Sequence, residues 1–508
     1  MGRPGGAGRA AGAPRRAGTG RGVGVTTALG ASAARGTLWL GLVNLVSKGS
    51  QMAVTVVLAA FLTETELGLA TLAVSLVNIG QVVQSMGVYD VITRTRRDPG
   101  AMAGTVLTAS VAVGLVLAAV GVLAADPIAA ALGAPAAAPL VVLTALSLPF
   151  TAAGGVQMGV LHRALDFRRR MLPDAGSAVV GAGVTVALAV AGVGSYSLAV
   201  GLLVSAVLQP VFGTLAGVRV RPRWDAAAAA EAGRWTAVVG PAAVVAILLI
   251  SVHYPLVSRV LGPDAVGVYS LAFRIAWVPY IMIAIVLGAV AFPVYTRLLA
   301  ERGPAELPAA VGRFTHVLLV VVGGLYAITA LLADRIVVLG ERWAPAVPVL
   351  VLLCLYGLAI SVLQTWYEAI RAAGRPRWYL ALQVSHLVLL VAGLLVATPH
   401  GLVAAAGAQL AAAAVLVPVA WVALWRAGAA PRARVLLRGL LGPVLGALVC
   451  LAAVRAAGAL GLLGAPSSLP GALVEGVLLV ACYAGVVAVV DRGALRELRT
   501  MLRPEVPA

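Results

Sequence analysis

The chain has 508 residues, of which 61% are hydrophobic and 11% charged, with a formal net charge of +18. Soluble domains carry about 25% charged residues, so an ordinary water-facing surface is excluded, and long lipid-facing segments that satisfy their own backbone groups must take its place. The basic residues sit in short connections between apolar runs and not in one patch, which excludes a nucleic-acid surface and marks membrane topology.

Residues 1–35 are rich in Gly, Ala and Arg, contain no acid, and are expected to form a disordered cytoplasmic tail. Fourteen apolar runs follow, each close to the ~20 residues that cross a bilayer core as a helix. Spans 1 to 6 are expected at 37 to 62, 67 to 90, 101 to 124, 138 to 160, 172 to 192 and 195 to 217. Spans 7 to 12 are expected at 236 to 260, 265 to 290, 315 to 333, 344 to 370, 378 to 398 and 402 to 425, and spans 13 and 14 at 439 to 461 and 471 to 490. Lys and Arg collect in alternate connections, as the positive-inside rule requires. Thirty-one of the 37 fall on the side of the two tails, among them Arg94, Arg97, Arg163, Arg170, Arg221, Arg297, Arg371 and Arg434. The opposite side holds Arg259, Arg335 and Arg342. Both termini are therefore expected in the cytoplasm.

The loop at 218–235 follows six spans and reads as a linker between two lobes. Sliding the chain by 199 residues places Gly41 on Gly240, Leu62 on Leu261, Gly68 on Gly267 and Leu72 on Leu271 without a gap. Such matches, in register with the topology, indicate parallel repeats about an axis along the membrane normal. The expected fold is an all-α polytopic membrane protein with an N-lobe of spans 1–6 (36–217), the linker (218–235), a C-lobe of spans 7–12 (236–425), a C-terminal helix pair (439–490) and a cytoplasmic tail (491–508).

Ionisable groups in mid-bilayer are costly and face a wet cavity or a partner. Asn44, Lys48, Gln51 and Thr55 recur on one face of span 1, and Thr71, Ser75, Asn78, Gln81 and Ser85 make a similar stripe on span 2. Arg274 lies on span 8 and His253 on span 7. Under the 199-residue offset Lys48 falls on Ile247 and Arg274 on Ser75, so the charges are not repeated with the fold. That asymmetry favours an anion-binding role for Lys48 and Arg274 over internal ion pairing, the other account of them. Asp90, at the cytoplasmic end of span 2, and Glu368 on span 10 are candidates for ion coupling, with a local pair of Glu368 and Arg371 as the plain alternative. His316 and His386 read as packing residues. Arg455 and Glu475 are expected to pair within the helix pair. The three cysteines lie in apolar runs, so no metal cluster or disulfide framework is expected. No phosphate-binding Gly-rich motif or other cofactor signature is present, and the chain is expected not to be an enzyme.

The stretches RGTLWLGLVNLVSKGSQ (35–51), LTETELGLATLAVSLV (62–77), MGVLHRALDFRRR (158–170), SRVLGPDAVGVYSLAFRIAWVP (258–279) and LGERWAPAVPVLVLLCLYG (339–357) carry a resemblance over residues 35–425. The chain resembles the polysaccharide transporter family of the multidrug/oligosaccharidyl-lipid/polysaccharide exporter superfamily, which includes colanic-acid and O-antigen flippases. The resemblance implies two six-helix lobes in a V, with spans 1, 2, 7 and 8 around a central cavity where Lys48, Asn44, Gln51, Asn78, Gln81, His253 and Arg274 would meet substrate. It implies a polyprenyl-pyrophosphate-linked oligosaccharide as cargo, turned over by alternating access in a bacterial cytoplasmic membrane, with glycosyltransferases and a polysaccharide polymerase as partners. Lipid II flippases of the superfamily are similar in carrying basic residues on spans 1 and 8, although span 1 here has one cation where those relatives have more. The alternatives are a cation-coupled drug exporter of the same superfamily and a membrane-embedded glycosyltransferase or polymerase.

Overall fold

The computed structural model describes residues 54, 57–85, 87–461, 465, 467–491 and 493. Among these the regular structure is entirely helical. Twelve helical stretches are long and apolar enough to cross a membrane, so the protein is a multi-pass, all-helical membrane protein. The longest, Ala226–Arg302, has 77 residues, about 115 Å at 1.5 Å per residue, far more than one crossing. It divides at Gly262, whose φ of 84° and ψ of 174° are non-helical, a conformation open to a residue without Cβ. This stretch covers both spans expected at 236 to 260 and 265 to 290, and the other eleven cover spans 2–6 and 9–14. The expected first span lies outside the described residues except for 54 and 57–62, and with it Asn44, Lys48, Gln51 and Thr55.

The expected linker is shorter than its sequence suggested. Helix Ala226–Ser251 starts ten residues before the expected span 7, because the run AAAAAEA favours helix and Asp225 caps it, accepting hydrogen bonds from the amides of Ala227 and Ala228. Those amides, Ala228 first, hold the Asp225 carboxyl below its usual range. The start of the helix is also tied to spans 2 and 3. Arg97 Nε donates to Glu231 at 2.8 Å, Thr95 Oγ1 donates to the same carboxylate at 3.1 Å, and the Asp225 amide donates to Thr105 Oγ1 at 3.1 Å.

At the end opposite the basic loops, spans 2 and 8 pack backbone against backbone. A Cβ at Gly68 would run into the carbonyl of Pro263, and one at Gly267 into that of Glu64. Thr65 Oγ1 donates to Asp264 Oδ1 at 2.6 Å, and Thr71 Oγ1 donates to Ser270 Oγ at 3.3 Å. Each hydrogen-bonded pair is separated by 199 residues, the offset already found in the sequence. Residues that meet their own equivalents lie on a local two-fold axis, as at an isologous interface.

The three basic residues on this side are structural ties. Arg259 Nη1 donates to the Ala131 carbonyl at 2.7 Å, and Arg342 Nη2 donates to those of Ala59 and Ala60 at 3.1 and 3.2 Å. Arg335 Nε donates to Glu475 at 2.7 Å, and its Nη1 to the Ala465 carbonyl at 2.7 Å. This corrects the expected pairing of Glu475 with Arg455. The partner comes from the connection between spans 9 and 10, because the helix pair docks on span 9 through Tyr483, whose hydroxyl donates to the Val320 carbonyl at 2.6 Å.

Arg335 and Glu475 have side chains only 11% and 5% exposed, and removing one partner of a buried pair costs about 3–5 kcal/mol. Arg335→Ala is therefore expected to loosen spans 13 and 14, read as faster protease cleavage near residue 465 in detergent. Arg335→Ala combined with Glu475→Ala should recover part of the loss. Equal cleavage of wild type and Arg335→Ala would contradict the role given to this pair.

Candidate functional site

A cavity of about 810 Å³ lies within the helical bundle, walled by spans 2, 4, 5 and 6 on one side and spans 7 and 8 on the other. All five members of the span 2 stripe, Thr71, Ser75, Asn78, Gln81 and Ser85, line it, because their spacing gathers them on one helical face. Arg274 also lines it, beside the hydroxyl of Tyr254.

The remaining wall was not singled out in the sequence. Spans 5 and 6 contribute Asp174, Ser177, Thr185, Ser205 and Gln209, and spans 7 and 8 contribute Ile247, Ile250, Phe273, Trp277 and Tyr280. Two π-helical turns sit on it, Leu172–Gly176 and Tyr280–Ala284. Such turns widen a helix by one residue and re-aim its side chains. Pro173 and Pro279, which cannot donate to the helical ladder, stand at these breaks, and a proline inside an apolar span was the available signal. Asp174 is met by Arg170, whose Nη2 and Nε lie 3.1 and 3.2 Å from Oδ2.

Three expected residues lie elsewhere. His253 is fully buried and off the cavity wall: its ring packs on Tyr254, Phe273 and Tyr269 at centroid distances of 4.1, 4.5 and 5.4 Å. Neither ring nitrogen has a hydrogen-bond partner among the described residues, and the ring's contacts here are those of the aromatic cluster. Glu368 also lies off the wall, and takes hydrogen bonds from Arg371 Nη1 at 2.9 Å and Gln364 Nε2 at 3.1 Å. The local pair with Arg371 is thus present. Asp90 borders a second, largely apolar cleft of about 410 Å³ between span 2 and span 7, with Arg94 3.7 Å away. This cleft shares Ser85, Ile247 and Ile250 with the main cavity, so the two lie side by side.

The bundle thus combines a polar chamber holding an arginine with an apolar side cleft. The polysaccharide biosynthesis protein family matches residues 57–348. The chain belongs to that family. Membership agrees with the resemblance to the polysaccharide transporters of the multidrug/oligosaccharidyl-lipid/polysaccharide exporter superfamily. Succinoglycan biosynthesis transport protein ExoT of Rhizobium meliloti (strain 1021) is 26% identical over 345 residues, 67% of this chain and 69% of that protein. Lipopolysaccharide biosynthesis protein WzxC of Escherichia coli (strain K12) is 24% identical over 337 residues, 64% of this chain and 67% of that one. Among solved structures, the inward closed conformation of the lipid II flippase MurJ aligns with a TM-score of 0.72 at 14% identity, covering 91% of this chain and all of that one. An inward-facing multidrug resistance MATE family transporter aligns with a TM-score of 0.63 at 15% identity, over 76% of this chain and 98% of that one. Those structures establish the shared fold.

Proposed function

We propose that the protein is a flippase that turns a polyprenyl-pyrophosphate-linked oligosaccharide from the cytoplasmic to the outer leaflet of a bacterial cytoplasmic membrane, for cell-surface polysaccharide biosynthesis. The observation that carries this reading is the cavity with Arg274 and the polar stripe of span 2 on its wall, beside a largely apolar cleft. A sugar-pyrophosphate head cannot enter hydrocarbon, whereas its polyprenyl tail is at home there, and the two spaces suit the two ends of one molecule. A guanidinium binds phosphate oxygens bidentately. Lys48, with Asn44 and Gln51, would complete the site from span 1, and Asn78 and Gln81 face it from span 2. The names of ExoT and WzxC, a transport protein and a lipopolysaccharide biosynthesis protein, support the same cargo class.

The two lobes, 36–217 and 236–425, would rock against each other about the linker, with both termini cytoplasmic and spans 13 and 14 riding on the second lobe. A drug exporter would hold a cationic cargo with a carboxylate free to bind it. Here Asp174, Asp90 and Glu368 each stand beside an arginine, which disfavours that reading.

Depletion of the protein in its host is expected to stop surface polysaccharide synthesis while the completed lipid-linked oligosaccharide accumulates in the cytoplasmic leaflet. Radiolabelling of the lipid fraction, with periodate access from outside, measures both. Accumulation in the outer leaflet would place the block after translocation and defeat the proposal.

A further inference from the structure

The two faces of the cavity differ in chemistry. On one side the amides and hydroxyls of Asn78, Gln81, Ser205 and Gln209 line the space, and none of these side chains has a hydrogen-bond partner among the described residues. On the other side stands an aromatic ladder along span 8. Trp277 stacks on Phe273 with centroids 4.9 Å apart and planes 21° apart, and meets Tyr280 at 4.5 Å. Phe273 is buried at the foot of this ladder, whereas Trp277 and Tyr280 are half-buried and face the cavity. Tyr356 lies 6.4 Å from Trp277, and the Tyr280 hydroxyl donates to Gln364 Oε1 at 3.4 Å.

An uncharged pyranose ring has the matching chemistry. Its axial C–H bonds form an apolar, slightly positive face that suits the negative face of an aromatic ring, and its equatorial hydroxyls both donate and accept hydrogen bonds. A lipid chain would leave the four polar side chains unsatisfied, which is costly away from water. The one carboxylate on the described cavity wall, Asp174, is held by Arg170, so a cation finds no free acid there. Building on the flippase reading, we infer that Trp277 and Tyr280, facing Asn78, Gln81, Ser205 and Gln209, form a sugar-binding subsite for neutral hexose units of the cargo, separate from the grip on its diphosphate by Arg274.

The test compares two probes on the purified full-length protein in nanodiscs: a polyprenyl pyrophosphate, and the same lipid carrying two neutral hexoses. Trp277→Ala is expected to weaken the sugar-bearing lipid about tenfold, the size of one aromatic stack, and to leave the sugar-free lipid unchanged. Trp277→Phe, which keeps a flat ring and the packing on Phe273, should restore most of the difference. An equal loss of both probes in Trp277→Ala would reduce Trp277 to a packing residue and overturn the subsite, as would unchanged binding of the sugar-bearing lipid. Failure of the wild-type protein to bind either probe would instead bring down the flippase reading, and the subsite with it.

Discussion

Replacing Arg274 with alanine is expected to abolish export of the lipid-linked glycan while the protein is still made and inserted. An arginine in mid-bilayer costs about 3 kcal/mol on insertion scales, so alanine there does not threaten insertion. What it removes is a charged donor on the cavity wall. Truncating one partner of a desolvated, hydrogen-bonded charge pair costs about 2–5 kcal/mol, so binding of the diphosphate should fall about 30-fold or more. Arg274→Lys keeps the charge but loses the bidentate fork, and should fall between wild type and alanine. The assay is surface polysaccharide together with the pool of lipid-linked oligosaccharide facing the cytoplasm, normalised to protein level. Normal surface polysaccharide in Arg274→Ala would remove the residue from the site.

The second large effect is expected at Gly68, where a single methyl group should suffice. Span 2 meets span 8 with no room between backbones, so a Cβ on Gly68 collides with the Pro263 carbonyl, an atom that cannot swing aside as a side-chain end would. Close backbone approach through small residues is how membrane helices pack tightly. Gly68→Ala must hold the spans apart at the end opposite the basic loops, and transport should fall at least about tenfold because the state in which this end is shut is lost. A direct reading comes from cysteines at Thr65 and Asp264, whose side chains touch at 2.6 Å. Thr65→Cys with Asp264→Cys should form a disulfide readily in an otherwise wild-type chain and poorly when Gly68→Ala is added. Equal cross-linking in both backgrounds would show that the contact is not needed for closure.

These two positions show how far the sequence could be read. The offset of 199 residues rested on few identities, yet it is the separation of Thr65 from Asp264 and of Thr71 from Ser270 in contact. Hydrophobic length and loop charge are properties of single segments, so the helical crossings were legible one by one. The polar stripe of span 2 was legible for the same reason: five polar residues at helical spacing in an apolar run can only share a face. Contributions from other segments were not. Thr185 satisfies its hydroxyl on the Gly181 carbonyl of its own helix, so nothing local distinguished it from a packing residue. His253 was placed in the cavity by its span, but its neighbours Tyr269 and Phe273 lie across the break at Gly262 and draw it into their cluster. Glu475 found Arg335 and not Arg455 because docking of the helix pair, a tertiary event, chose between two basic residues. The early start of span 7 at Ala226 was legible in principle, since an aspartate followed by five alanines is a capped helix start.

The central claim, that this cavity carries a lipid-linked sugar pyrophosphate across the bilayer, is tested most directly by reconstitution. Purified protein in proteoliposomes should move a polyprenyl-pyrophosphate oligosaccharide from one leaflet to the other, scored by its access to an added glycan-cleaving enzyme. Wild-type protein should accelerate the exchange well above protein-free liposomes, and Arg274→Ala should fall back to their rate. Exchange by wild type no faster than in protein-free liposomes, or undiminished by Arg274→Ala, would contradict the account.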